Sequence, residues 1–108
     1  MTKPIRTTTR DRRTALAIRD RIPFITSGAM KGEERKPSDW NLAGSEGYLR
    51  GEDLERFESD RKRIVYVVWS YWTPIGWVTD DNVGYAVKQK FSVTTTKHQG
   101  NLYLIGGE

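Results

Sequence analysis

The sequence has no cysteine and a single histidine, His98, which excludes disulfides, thiolate nucleophiles, thiolate metal sites and any site that needs two imidazoles. Core-forming residues are also scarce. Of 108 residues, 39 are hydrophobic, and only 23 are Leu, Ile, Val or Phe, close to the level at which chains stay disordered. Such a chain can build one small core, and its length fits one domain over residues 1–108. No apolar run approaches the roughly 18 residues of a membrane span, and the N-terminus lacks the apolar stretch of a secretory signal. The expectation is a soluble, cytoplasmic protein with no membrane partner. Phosphate-loop, dinucleotide, nucleophile-elbow and calcium-loop patterns are all missing, so no cofactor and no metal are expected.

What is present is unevenly spread. Residues 64–105 hold 21 of the 39 hydrophobic residues, which puts the expected core in the C-terminal half. Residues 1–21 carry seven basic and two acidic groups, residues 22–60 five and nine, and residues 61–108 six and three. An acidic middle thus separates two basic parts, and the net charge of +4 favours anionic partners.

Met1 to Arg10 is Thr-rich and basic with little to bury, and predicts a mobile arm. A short helix is expected from about Arg10 to Arg21, capped by Thr9 and ended by Pro23. Residues 23–51 contain five of the ten glycines and two of the four prolines, and read as a long loop from which Phe24, Ile25, Met30, Trp40 and Leu42 pack back. A surface helix follows from Glu52 to about Arg61, with Glu52 and Arg56 spaced to pair.

The strongest strand signal is Arg63 to Trp72, apolar on both faces: Ile64, Tyr66, Val68, Ser70 and Trp72 on one, Val65, Val67, Trp69 and Tyr71 on the other. Pro74 ends its ladder, Gly76 to Thr79 resumes as a short strand, and Asp80, Asp81, Asn82 and Gly84 supply a turn. Tyr85 to about Thr94 alternates as a strand with one wet face, and Asn101 to Ile105 reads as a last short strand.

Three groups of residues carry candidate chemistry. Arg6, Arg10, Arg12 and Arg13 are candidate nucleic-acid contacts, since guanidinium groups suit phosphate geometry. Lys88 and Lys90 are candidate nucleic-acid contacts too, heading a second candidate anion surface through Ser92, Thr94, Thr96 and His98, whose plain reading is the solvent face of an edge strand. Trp69, Tyr71, Trp72 and Trp77 are candidate interface residues, because the strand cannot easily hide both faces. A leftover aromatic patch would be a protein interface or a base-stacking platform. A Ser92–His98 hydrolytic pair is disfavoured, since six residues of strand separate them by about 20 Å. The pairs Glu33-Glu34, Glu52-Asp53 and Asp80-Asp81 read as solvated, turn or helix-start carboxylates.

The stretch from Ser70 to Trp77, Ser-Tyr-x-Thr-Pro-Ile-x-Trp, and that from Ser92 to Gln99, Ser-x-Thr-Thr-x-x-His-Gln, resemble a family of small actinobacterial and bacteriophage proteins known only as a domain of unknown function. Arg21-Ile-Pro-Phe and Gly28-Ala-Met-Lys-Gly extend the likeness over most of the chain after about residue 14. Trp72 stands where a smaller residue is expected. The resemblance implies that Ser70, Thr73, Ser92, Thr94, Thr95 and His98 form one cluster, either a buried polar network or a ligand site.

The fold expected is α+β: a small antiparallel sheet of three to four strands in the C-terminal half, with one or two short helices from the N-terminal half. The function expected is binding without chemistry. The leading expectation is a phage-type accessory protein, not an enzyme, that contacts nucleic acid through its basic arm, in the host cytoplasm if phage-encoded. The alternative is a module that binds a host or phage protein, or a second copy as a homodimer, through the aromatic surface around residues 66–77.

Overall fold

A computed structural model describes residues 3–9, 11–26, 28–36 and 46–106. In chain order they form β1 (Ile5–Thr7), α1 (Arg12–Arg19), β2 (Phe24–Thr26), β3 (Met30–Glu34), α2 (Gly51–Asp60), β4 (Ile64–Ser70), β5 (Thr73–Thr79), β6 (Gly84–Ala86) and α3 (Val93–Gln99), with 3-10 turns at Arg61–Arg63 and Leu102–Leu104. The fold class is α+β, as expected. The sheet is larger than expected, six strands in the order β1-β2-β3-β4-β5-β6, antiparallel except for the β1–β2 pair. The expectation of three to four strands confined to the C-terminal half is therefore corrected. β1, β2 and β3 lack a dense β-branched or aromatic run, and each is a strand because its neighbour offers a partner: β4 for β3, β3 for β2 and β2 for β1.

Part of the expected arm joins the sheet. Ile5 to Thr7 pairs with Phe24 to Thr26, and the Thr14 hydroxyl, buried on α1, donates to Thr7 Oγ1 at 2.7 Å. Helix α1 starts where Asp11 Oδ1 accepts from the Arg13 N–H at 2.9 Å, so Asp11, not Thr9, is its cap. It ends at Arg19, and Arg21, with φ +57°, turns the chain toward Pro23.

Two faces of the sheet are covered, and β4 serves both. Tyr66 and Val68 join Ile18, Phe24, Met30, Val78, Leu102 and Ile105 beneath α1 and the last 3-10 turn. Val67 and Trp69 join Leu49, Phe57, Trp77 and Val87 beneath α2. Ile64 lies with this second set, not with Tyr66 as simple alternation predicts, because a register irregularity intervenes between Ile64 and Tyr66. The expected strand to Trp72 stops at Ser70, where a two-residue turn of Tyr71 and Trp72 leads into β5, and Pro74 sits within β5 opposite Trp69. At the other end, backbone of Ile105 covers β6: a Cβ added at Gly84 would lie 2.2 Å from the Ile105 oxygen, so only glycine admits this approach. Among the described residues no helix is long and apolar enough to cross a membrane.

Helix α2 turns two acids inward, contrary to the solvated reading of Glu52-Asp53. Asp53 accepts from Tyr85 Oη at 2.6 Å and from the Lys88 and Gln89 N–H groups at 3.1 and 2.8 Å. Asp60 Oδ2 accepts from Trp77 Nε1 at 2.9 Å and Arg56 Nε at 2.8 Å, so Arg56 pairs with Asp60 in place of Glu52. One backbone bond from the Val87 N–H to the Ile75 carbonyl continues the ladder past β6, and from Lys88 onward the Asp53 carboxylate takes over. Gln99 Nε2 completes this by donating to the Val87 and Gln89 carbonyls at 3.0 and 2.9 Å. Replacing Asp53 with Ala leaves three donors unmatched in a buried place and is expected to cost about 3 kcal/mol in chemical denaturation. Glu52→Ala, which removes only an exposed pair with Lys88, is expected to leave the denaturation midpoint essentially unchanged.

Candidate functional site

The expected strand through Thr94 is corrected to a helix from Val93 onward, and this reorganises the candidate residues. Val93, Thr94, Thr95 and Thr96 are poor helix formers, so local preference does not account for α3. Its start is fixed by Ser92, whose Oγ accepts from the Thr95 N–H at 3.2 Å, and its inner face by Thr95 and His98, three residues apart. The Ser92 hydroxyl donates to Thr95 Oγ1 at 3.3 Å, Thr95 Oγ1 lies 3.0 Å from Ser70 Oγ, and Ser70 Oγ lies 2.7 Å from His98 Nδ1.

Four of the six residues expected to cluster therefore form one hydrogen-bonded chain, and the expected separation of Ser92 from His98 is overturned by the helix. Thr73 and Thr94 stand apart from it. Thr73 Oγ1 is buried and accepts from the Tyr48 N–H at 3.1 Å, while Thr94 is exposed. Burial is the one cause that pushes the His98 imidazole below its ordinary value. The chain is a satisfied polar network that joins α3 to the β4–β5 turn.

The aromatic candidates divide in two. Trp77 is fully buried against Phe57 and Tyr85, and Trp69 is buried with its Nε1 donating to Glu33 Oε1 at 2.7 Å. Tyr71 and Trp72 point outward at the turn, 50% and 77% exposed. Tyr71 has φ +56°, an uncommon conformation for a bulky residue, and its N–H donates to the Ala29 carbonyl at 2.9 Å. Its ring lies 6.2 Å from the His98 ring.

Beside Trp72 opens a groove of about 730 Å³, walled by residues 47–50, 70–73 and 89–92 together with Thr95. Gly47, with φ +56°, lets the first wall approach: a Cβ there would lie 2.7 Å from both Thr73 Cα and the Trp72 oxygen. The Gln89 side chain clamps the same wall, accepting from the Arg50 N–H at 2.9 Å and donating to the Tyr48 carbonyl at 3.1 Å. Tyr48, 73% exposed, and Trp72 stand on two of the walls, with Phe91 on the third. Its described lining contains two cations, Arg50 and Lys90, and no carboxylate. Among the described residues neither cation is in an ion pair.

The basic candidates are dispersed. Lys90 lines the groove, and Lys88 pairs with Glu52 at 3.2 Å. Arg6 is exposed on β1, Arg12 is exposed on α1, and Arg13 is paired with Asp11 at 2.7 Å. Arg10, with Trp40 and Leu42 of the long loop, lies outside the described residues. Sequence reasoning missed Tyr48, Arg50, Gln89 and Phe91 as groove residues. The signal available was an aromatic and a cation set between Gly47 and Gly51, which marks a side-chain pair displayed on a loop.

Because the native imidazole binds its proton less readily than the unfolded one, which titrates near about pH 6.5, the unfolded chain takes up the proton first. This contribution to stability is complete above that pH and is lost as pH falls through it toward the lower native value. Denaturation midpoints measured between about pH 7 and pH 5 should therefore decline, and His98→Gln should decline less over that interval.

No curated protein and no solved structure matches the chain. The profile of a family of unknown function, DUF8033, matches residues 8–105, which contain the hydroxyl chain, the turn and all three walls of the groove, and the protein belongs to that family.

Proposed function

We propose that the protein is a small binding protein without catalytic activity, and that it holds single-stranded nucleic acid in the groove beside Trp72. One observation carries this reading: two exposed aromatic rings flank a groove whose described lining has two free cations and no carboxylate. Unpaired bases stack on exposed aromatic rings with little regard to sequence, and neighbouring cations take the phosphates. A duplex offers no free base faces, so the same groove favours a single strand. The contact surface moves from the N-terminal arm to the groove, since Ile5 to Thr7 is tied into the sheet. The motifs Ser70 to Trp77 and Ser92 to Gln99 support the further reading of a phage-type accessory protein acting in the host cytoplasm.

The same turn favours a second use, capture of a host or phage protein or of a second copy, because Tyr71 and Trp72 project together. Anisotropy of a labelled oligothymidylate separates the two. Binding is expected to weaken with salt by about 0.7 log units per contacted phosphate for each tenfold rise. Trp72→Ala and Tyr48→Ala should each cost about 1–3 kcal/mol of affinity, the worth of one stacked base, while leaving the fold intact. No oligonucleotide binding, together with self-association that Trp72→Ala abolishes, would put the protein-binding use in its place.

A further inference from the structure

Resting on the single-strand reading above, we infer that the groove is one end of a longer track, which continues over Tyr71 and along α3 to Arg12. The walls of three hollows share residues. Tyr71 lines both the groove and a second hollow of about 460 Å³ on the far side of the turn, where Thr94, Lys97 and His98 face Thr8 and Gly28. Thr9 and Lys97 line both that hollow and a third, of about 370 Å³, which ends at Arg12 and Tyr103. A chain leaving the groove over Tyr71 therefore passes two further hollows in succession before it reaches α1.

The chemistry is continuous as well. Lys97 and Arg12 are exposed and, among the described residues, in no ion pair. Among the described residues the one carboxylate in the walls of the second and third hollows, Asp11, is engaged by the Arg13 N–H and guanidinium. Thr8, Thr9 and Thr94 add hydroxyl donors, the groups that accompany lysine and arginine at phosphates. Exposed rings recur along the path at Trp72, Tyr71 and Tyr103, so stacking and charge alternate as a polynucleotide requires. An acidic peptide would use the cations but leave these ring faces idle. On a molecule of 32 × 30 × 25 Å such a path holds roughly four to six nucleotides, the low end of single-strand footprints.

The full chain is titrated with oligothymidylates of about three and about ten nucleotides, lengths below and above this footprint. The longer strand should bind at least about tenfold more tightly, because it gains a further stacked ring beyond the groove. Replacing both Lys97 and Arg12 with Ala should lower the salt slope for the longer strand by about 1.4 and leave the shorter one unchanged. Trp72→Ala should weaken both. Equal affinity for the two lengths, or a double variant with unchanged slope, overturns the track and leaves the groove as the whole site. Absence of binding by either length of both oligothymidylate and oligouridylate overturns the single-strand reading itself, as does an oligoglutamate that binds as tightly as the longer strand. Oligouridylates of the same lengths, run in parallel, decide between DNA and RNA as the source of the strand, and length dependence in either supports the track.

Discussion

The structure depends on a strand that is apolar on both sides. β4 cannot face water on either surface, so a chain of 108 residues with a modest supply of hydrophobic side chains has to provide two covers. Helix α1 and the C-terminal 3-10 turn supply one, and α2 supplies the other. Most other features follow from the cost of building two thin covers from polar sequence. Asp53, Asp60, Glu33 and Gln99 point inward because the buried N–H, indole and carbonyl groups around the sheet need partners that a small chain cannot find in further strands.

The same constraint explains which parts of the fold were legible. The helices α1 and α2, the strand beginning at Ile64 and the turn after Thr79 follow from periodicity, capping residues and turn residues acting locally. The strands β1 to β3 do not, because Ile-Arg-Thr, Phe-Ile-Thr and Met-Lys-Gly-Glu-Glu become extended only against a partner. The turn at Tyr71 and Trp72 carries no glycine, asparagine or aspartate, so nothing local announces it, and the apolar strand pattern runs on to Trp72. Helix α3 is the opposite case. A Val and Thr run with clean alternation reads as strand, yet Ser92 caps it and the bonds of Thr95 and His98 to Ser70 reward the helix.

That conversion is what makes the candidate site. Wound into a helix, residues 93–99 draw the imidazole under the turn, satisfy it with Ser70, and leave Tyr71 and Trp72 on a rigid mount. The grouping of the hydroxyls with His98 was visible from the two motifs, although their placement was not. The groove was less visible, because Tyr48 and Arg50 reach it through tertiary contacts of Gly47 and Gln89 that no local pattern encodes.

The brevity of the two border strands has a wider consequence. β1 and β6 are each only three residues long, and β1 presents Arg6 to the outside. An incoming chain finds little ladder to extend at either border, so end-to-end polymerisation of sheets into fibrils is opposed at both.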